Sequence, residues 1–140
     1  MANKKLDNLV TIGKLKPEPP AQVELDGLIA SGTARLADAK NEELSFESRF
    51  DLAYNAAHSL ALAALRFHGY RSEARYLVFQ TLEHTLELPS ALWRILDQAH
   101  GARNRSEYEG YLDKDQQLLA ALLRTADEVE KRVRALLGAK

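Results

Sequence analysis

The chain contains no cysteine. That excludes a disulfide framework and any metal site built on thiolates. No apolar run approaches the ~20 residues needed to cross a bilayer. Lys14 and Lys16 interrupt the N-terminal apolar residues that a signal peptide would keep continuous. A cytoplasmic protein with no membrane contact is therefore expected. Net charge is nearly absent too: 19 Lys and Arg against 20 Asp and Glu leave -1. No global field draws the chain to nucleic acid, so any basic surface must be local. There is no Gly-rich phosphate loop, no GxSxG elbow and no HExxH pair. The carboxylates form no recognisable acid–base pair. His58 and His68 stand too far apart for a two-histidine metal motif and His84 stands alone, so all three read as core or surface residues. Neither a metal nor a cofactor is expected.

Proline is scarce and badly spread: three of the 4 lie in the first 20 residues. What remains is rich in Ala, Leu, Arg and Glu, the good helix formers. A chain of 140 residues is the size of one domain. Residues 1–20 read as an N-terminal arm and residues 21–140 as a single helical domain. In the arm, Leu6, Leu9, Val10, Ile12 and Leu15 are apolar, but Gly13, Pro17, Pro19 and Pro20 oppose a long helix. An extended arm lying on the body or on a second subunit is one expectation, a solvated tail the other.

A first helix is expected from about Ala21 to Lys40, with Val23, Leu25, Leu28, Ile29, Leu36 and Ala39 on its apolar stripe. Gly27 and Gly32 weaken it or admit a close neighbour. Ser45 is placed to N-cap a second helix that runs to about His68, with Gly69 ending it. Phe46, Phe50, Ala53, Tyr54, Ala57, Ala61, Ala64 and Leu65 recur there at three- and four-residue steps. Leu52, Ala56, Leu60 and Phe67 widen that face, which predicts a central helix packed on several sides. Ser72 is placed to cap a third helix over Glu73 to Leu86. A fourth carries Leu92, Trp93, Leu96 and Ala99, and Gly101 and Gly110 leave its end open. Asp113 and Gln116 have capping-box spacing and start a fifth helix to about Leu137, striped by Leu119, Leu122, Ala126, Val129 and Val133. No segment alternates like a strand. The expected fold is all-α, an up-and-down bundle of four to five helices.

Polar residues with chemical potential crowd into one stretch, Gln98 to Tyr111. On a helix His100, Asn104 and Tyr108 share a row, and Arg103 and Glu107 share the next. Arg103 and Tyr108 are five apart and diverge by about 140° on an unbroken helix. They meet only if the helix ends or bends, or if a second copy supplies one of them. Arg103 and Arg105 bring guanidinium groups suited to phosphate. Tyr108 and Tyr111 bring rings that can stack on a base or donate a hydrogen bond. A plainer reading fits the same spacing. Arg103 and Glu107 then form a surface ion pair worth under about 1 kcal/mol, Tyr108 is half-buried packing, and Asn104 caps a helix end.

Two segments together resemble the HEPN superfamily (higher eukaryotes and prokaryotes nucleotide-binding). RFDLAYNAAHSLALAALRFHGYR, from Arg49 to Arg71, is similar to its central helix. ARNRSEYEGY, from Ala102 to Tyr111, resembles its Arg-Asn motif. The resemblance covers about Ala21 to Leu137. It implies a helical bundle, commonly a homodimer, with the motifs of two subunits facing a shared cleft. Active members are metal-independent ribonucleases whose motif is Arg, four to six residues, then His. Arg103 and Asn104 match its start. Tyr108 occupies the histidine position at four intervening residues, and no histidine follows Arg103 in the chain. Proton exchange near neutral pH suits histidine and not a tyrosine of pKa near 10. The resemblance therefore implies a non-catalytic binder of nucleotide, nucleic acid or a protein partner, through Arg103, Asn104, Tyr108, His100, Arg105 and Tyr111. One alternative is a ribonuclease of a toxin–antitoxin or phage-defence system, with a nucleotidyltransferase partner and with Tyr108 or His100 moving the proton. Another is a purely structural interaction module.

Overall fold

The computed structural model describes residues 4–110 and 113–138. The expected all-α bundle is present. Four long helices make it: α2 (Gln22–Ala39), α3 (Phe46–Phe67), α6 (Ser90–Glu109) and α7 (Gln116–Gly138). Three short ones, α1 (Lys4–Thr11), α4 (Arg75–Gln80) and α5 (Leu82–Thr85), fill in around them. Helix α3 is the axis, packed against α2, α7, α4, α5 and α6. Most of its apolar surface is covered by these neighbours within one chain. Ala53, Ala56, Ala57, Ala61, Ala63 and Ala64 are fully buried on it, and their small side chains let the surrounding backbones come close. No helix among the described residues is long and apolar enough to cross a membrane.

Local chemistry sets most boundaries where the sequence places them. Ser45 accepts from the Ser48 amide at 3.1 Å and opens α3. Asp115, and not Asp113, accepts from the Leu118 amide at 3.0 Å and opens α7. Ser72 accepts from the Ala74 amide at 3.1 Å, a turn that delays the third expected helix to Arg75. That helix is also divided at Thr81 into α4 and α5.

The arm lies on the body, as one of its two expected states had it, but it is not extended throughout. Lys4–Thr11 is helical, Leu6 and Leu15 are buried in the main core, and Lys16 and Pro17 (β1) pair antiparallel with Arg71 and Tyr70 (β2). So short a ladder carries no alternation pattern to read. The arm is held by Arg66, whose side chain is 1% exposed. Its Nη1 donates to the carbonyls of Glu18 and Tyr70 at 2.9 and 3.2 Å, and its Nη2 to that of Pro19 at 2.9 Å. Its Nε meets Glu24 at 2.9 Å and its Nη2 meets the Glu18 carboxylate at 3.2 Å. Arg71 bridges the same two carboxylates, and the Tyr70 hydroxyl donates to Asp7.

Val23, expected on the apolar stripe of α2, is instead 86% exposed. The two α2 glycines differ. A Cβ on Gly32 would lie 2.6 Å from Leu60 Cγ and 3.2 Å from the Ala56 carbonyl oxygen, whereas one on Gly27 would meet nothing within 4 Å. Leu60 is fully buried and has no room to yield. We expect Gly32→Ala to cost about 1–2 kcal/mol through overpacking. Gly27→Ala should stabilise by up to about 1 kcal/mol through helix propensity alone. Urea unfolding of both variants checks this; a gain in Gly32→Ala would mean that α2 and α3 are not in close contact there.

Candidate functional site

Helix α6 runs unbroken through the polar stretch to Glu109, where Gly110 in the left-handed region (φ 71°) ends it. Gly101 lies inside the helix. Continuity decides which of the expected residues meet. His100 and Asn104 do: the Asn104 side-chain nitrogen faces His100 Nε2 at 3.2 Å. Asn104 therefore makes a contact within the helix and caps nothing. Arg103 and Tyr108 diverge and do not meet within one chain. Tyr108 is 83% exposed, which overturns the half-buried alternative. Arg105 projects to another face, where it lines a groove of about 470 Å³ with Asp97, Gln98, Asp113 and Asp115. Tyr111 lies outside the described residues.

Arg103 faces α3. Its Nε approaches Asp51 Oδ1 at 3.4 Å and its Nη1 lies 3.7 Å from Glu107 Oε2. The ion pair with Glu107 that the plainer reading expected is thus present, but it is long. Both carboxylates are more than half exposed, so each pair is worth little and can exchange. The Arg103 guanidinium carbon lies 5.1 Å from the centre of the Tyr54 ring, a cation–π contact. Arg103 also lines an open cleft of about 210 Å³ with Glu47, Phe50, Asp51 and Ser106.

Tyr54 is the hub that the sequence hides. It reads there as one more apolar-stripe residue, and its ring is fully buried, edge-on to Phe79 at 5.7 Å. Its hydroxyl nevertheless lies 2.8 Å from His100 Nδ1. The Asn104 amide nitrogen faces the other ring nitrogen, Nε2, so both nitrogens of His100 are engaged. Burial pushes the Tyr54 phenol up, against a hydrogen bond from Arg75 and the charges of Arg75 and Arg103. The ring thus stays protonated at neutral pH. His58, one turn further along α3, is edge-on to Phe79 at 5.9 Å. Burial, then the charges of Arg75 and His100, push it down to about 4. Arg75 donates to Asn55 Oδ1 at 2.9 Å. Asp51, Tyr54, Asn55 and His58 thus carry polar groups at three- and four-residue steps along α3. That spacing is visible in the sequence and is the signal that points to them.

His68 Nε2 lies 3.1 Å from the Thr85 carbonyl. No group of three or more His, Cys, Asp or Glu among the described residues could hold a metal ion. Compared with family models, curated proteins and solved structures, the chain matches none of them.

Proposed function

We propose that this is a HEPN-like protein that acts as a dimer and binds a phosphate-bearing ligand, RNA or a nucleotide, on the Arg103 face of α6. The observation that carries the reading is the state of Arg103. Its guanidinium borders an open cleft, braced from behind by the Tyr54 ring and held in front only by long contacts to exposed carboxylates. A phosphate oxygen offers that fork shorter, charge-assisted hydrogen bonds than Asp51 or Glu107 does. Tyr108 presents a free ring at the end of the same helix, suited to stacking on a base. Its divergence from Arg103 on a straight helix favours a cleft shared by two copies, each supplying what the other lacks.

Binding is favoured over proton transfer by the condition of the histidines. His100 has both ring nitrogens engaged, by Tyr54 and Asn104. His58 is held near 4, far below the range useful to a general acid at neutral pH.

Titration of fluorescently labelled RNA and nucleotides tests the proposal. Arg103→Ala should weaken binding about tenfold, the loss of one charge-assisted contact. Tyr108→Ala should weaken RNA binding by a similar factor if its ring stacks. Undiminished binding by both variants would remove the site, and cleavage of the RNA during the titration would replace binding with ribonuclease activity.

A further inference from the structure

Arg75 is half-buried at the start of α4. Its guanidinium carbon lies 5.5 Å from the centre of the Tyr54 ring and its Nη1 donates to the neutral Asn55 side chain. Among the described residues it forms no ion pair with a carboxylate. A carboxylate is the usual partner of a cation partly removed from water. Arg103, against the same ring, has Asp51 and Glu107. His58, half-buried and with no hydrogen-bond partner among the described residues, lies one turn along α3 from Tyr54 and packs on Phe79, which the Tyr54 ring also meets. Arg75 from α4 and His100 from α6 are the charged or titratable groups that act on His58. A guanidinium short of a counter-charge and an imidazole short of a hydrogen-bond partner are thus grouped around the Tyr54 and Phe79 rings.

We infer that Arg75 and His58 form a second anion-binding subsite beside that of Arg103, so that the protein takes a ligand with two linked phosphates in preference to one with a single phosphate. The subsite presupposes the phosphate contact proposed for Arg103. An anion at Arg75 supplies the missing negative charge and accepts from the His58 ring. Both guanidinium carbons lie within 5.5 Å of one ring centroid, which places the two cations no more than about 11 Å apart. The anion also offsets one of the charges that disfavour a proton on His58, so its binding draws a proton towards that ring.

The test compares a short single-stranded RNA with a mononucleotide, on the full chain and on Arg75→Gln and Arg103→Ala. Glutamine keeps a donor for Asn55 and removes the charge. Arg75→Gln should weaken RNA binding about tenfold and flatten the slope of log affinity against log salt by about 0.7, the loss of one phosphate contact. It should leave the mononucleotide unchanged, whereas Arg103→Ala weakens both ligands. Unchanged RNA affinity and salt slope in Arg75→Gln, with Arg103→Ala still impaired, would overturn the subsite and leave the Arg103 contact standing. Equal losses for RNA and mononucleotide in Arg75→Gln would overturn the two-phosphate preference. Full binding by both variants removes both proposals. A measurement on the unaltered protein is independent of whether Arg75→Gln folds. The NMR signal of the His58 ring should move on RNA addition and titrate at higher pH in the complex; a stationary signal under saturating RNA overturns the subsite.

Discussion

Arg66→Ala should lower the free energy of unfolding by about 3–5 kcal/mol, the range for breaking a buried charge network by removing one partner. The guanidinium is buried and collects the carbonyls of Glu18, Pro19 and Tyr70 together with the carboxylates of Glu18 and Glu24. Truncation leaves those carbonyls without their donor and opens a cavity beneath the arm. Arg71 still reaches both carboxylates, so the acidic side chains keep a partner and the loss falls on the main chain. Leu6 and Leu15, buried in the core, should become accessible as the arm loosens. Urea unfolding measures the stability, and hydrogen exchange at residues 6–18 locates the damage. A loss below about 1 kcal/mol would show that packing alone holds the arm. Glu18→Gln removes only the charge of a partly exposed carboxylate and should be far milder.

Acidification is the second large effect expected. His58 titrates near 4 in the folded protein and near 6.5 when unfolded. A folded value below the unfolded one means that the unfolded chain takes the proton first. The stability is thus fully present above about pH 6.5 and is lost as pH falls towards 4. At about 1.4 kcal/mol per pKa unit, roughly 2 kcal/mol should disappear between pH 7.5 and 4.5. Glu18 and Glu24, held below the usual carboxylate range chiefly by hydrogen bonds from Arg71, add their losses only below about 4.3, the ordinary glutamate value. The upper part of the decline therefore isolates the histidine. His58→Gln should flatten the stability profile between pH 6.5 and 4.5. A variant whose profile matches the parent there would show that the imidazole is not buried against Phe79 and Arg75.

Features governed by a few neighbouring residues were legible in the sequence. Ser45 opens α3 because its hydroxyl reaches an amide three residues on; of the two glycines that left the end of α6 open, Gly110 ends it because it takes a positive φ at no steric cost. The alanine-rich face of Phe46–Phe67 foretold a helix surrounded on many sides. The arm was not legible. Its prolines argue against a helix where they stand, but α1 ends before them, and it is anchored by Arg66, a residue more than forty positions later. The site was half legible for the same reason. Arg103, Asn104 and His100 lie close along one helix and could be grouped by spacing. Arg75 joins them only because α4 packs on α6 and α3, a contact that no local pattern encodes. Tyr54 was concealed by its own chemistry: a phenol is apolar enough to belong to a stripe and polar enough to organise a cluster.

The way Arg66 grips the arm also governs how freely that segment can change. Most of the grip is on main-chain oxygens, and Pro19 takes part through its carbonyl, which every amino acid possesses. What the guanidinium recognises is the path of the backbone more than the identity of the residues along it. Substitutions at position 19 that preserve an extended course should leave the fastening intact, while a deletion that shifts the carbonyls out of register would undo it. A library randomised there should accordingly accept many side chains and very few changes of length.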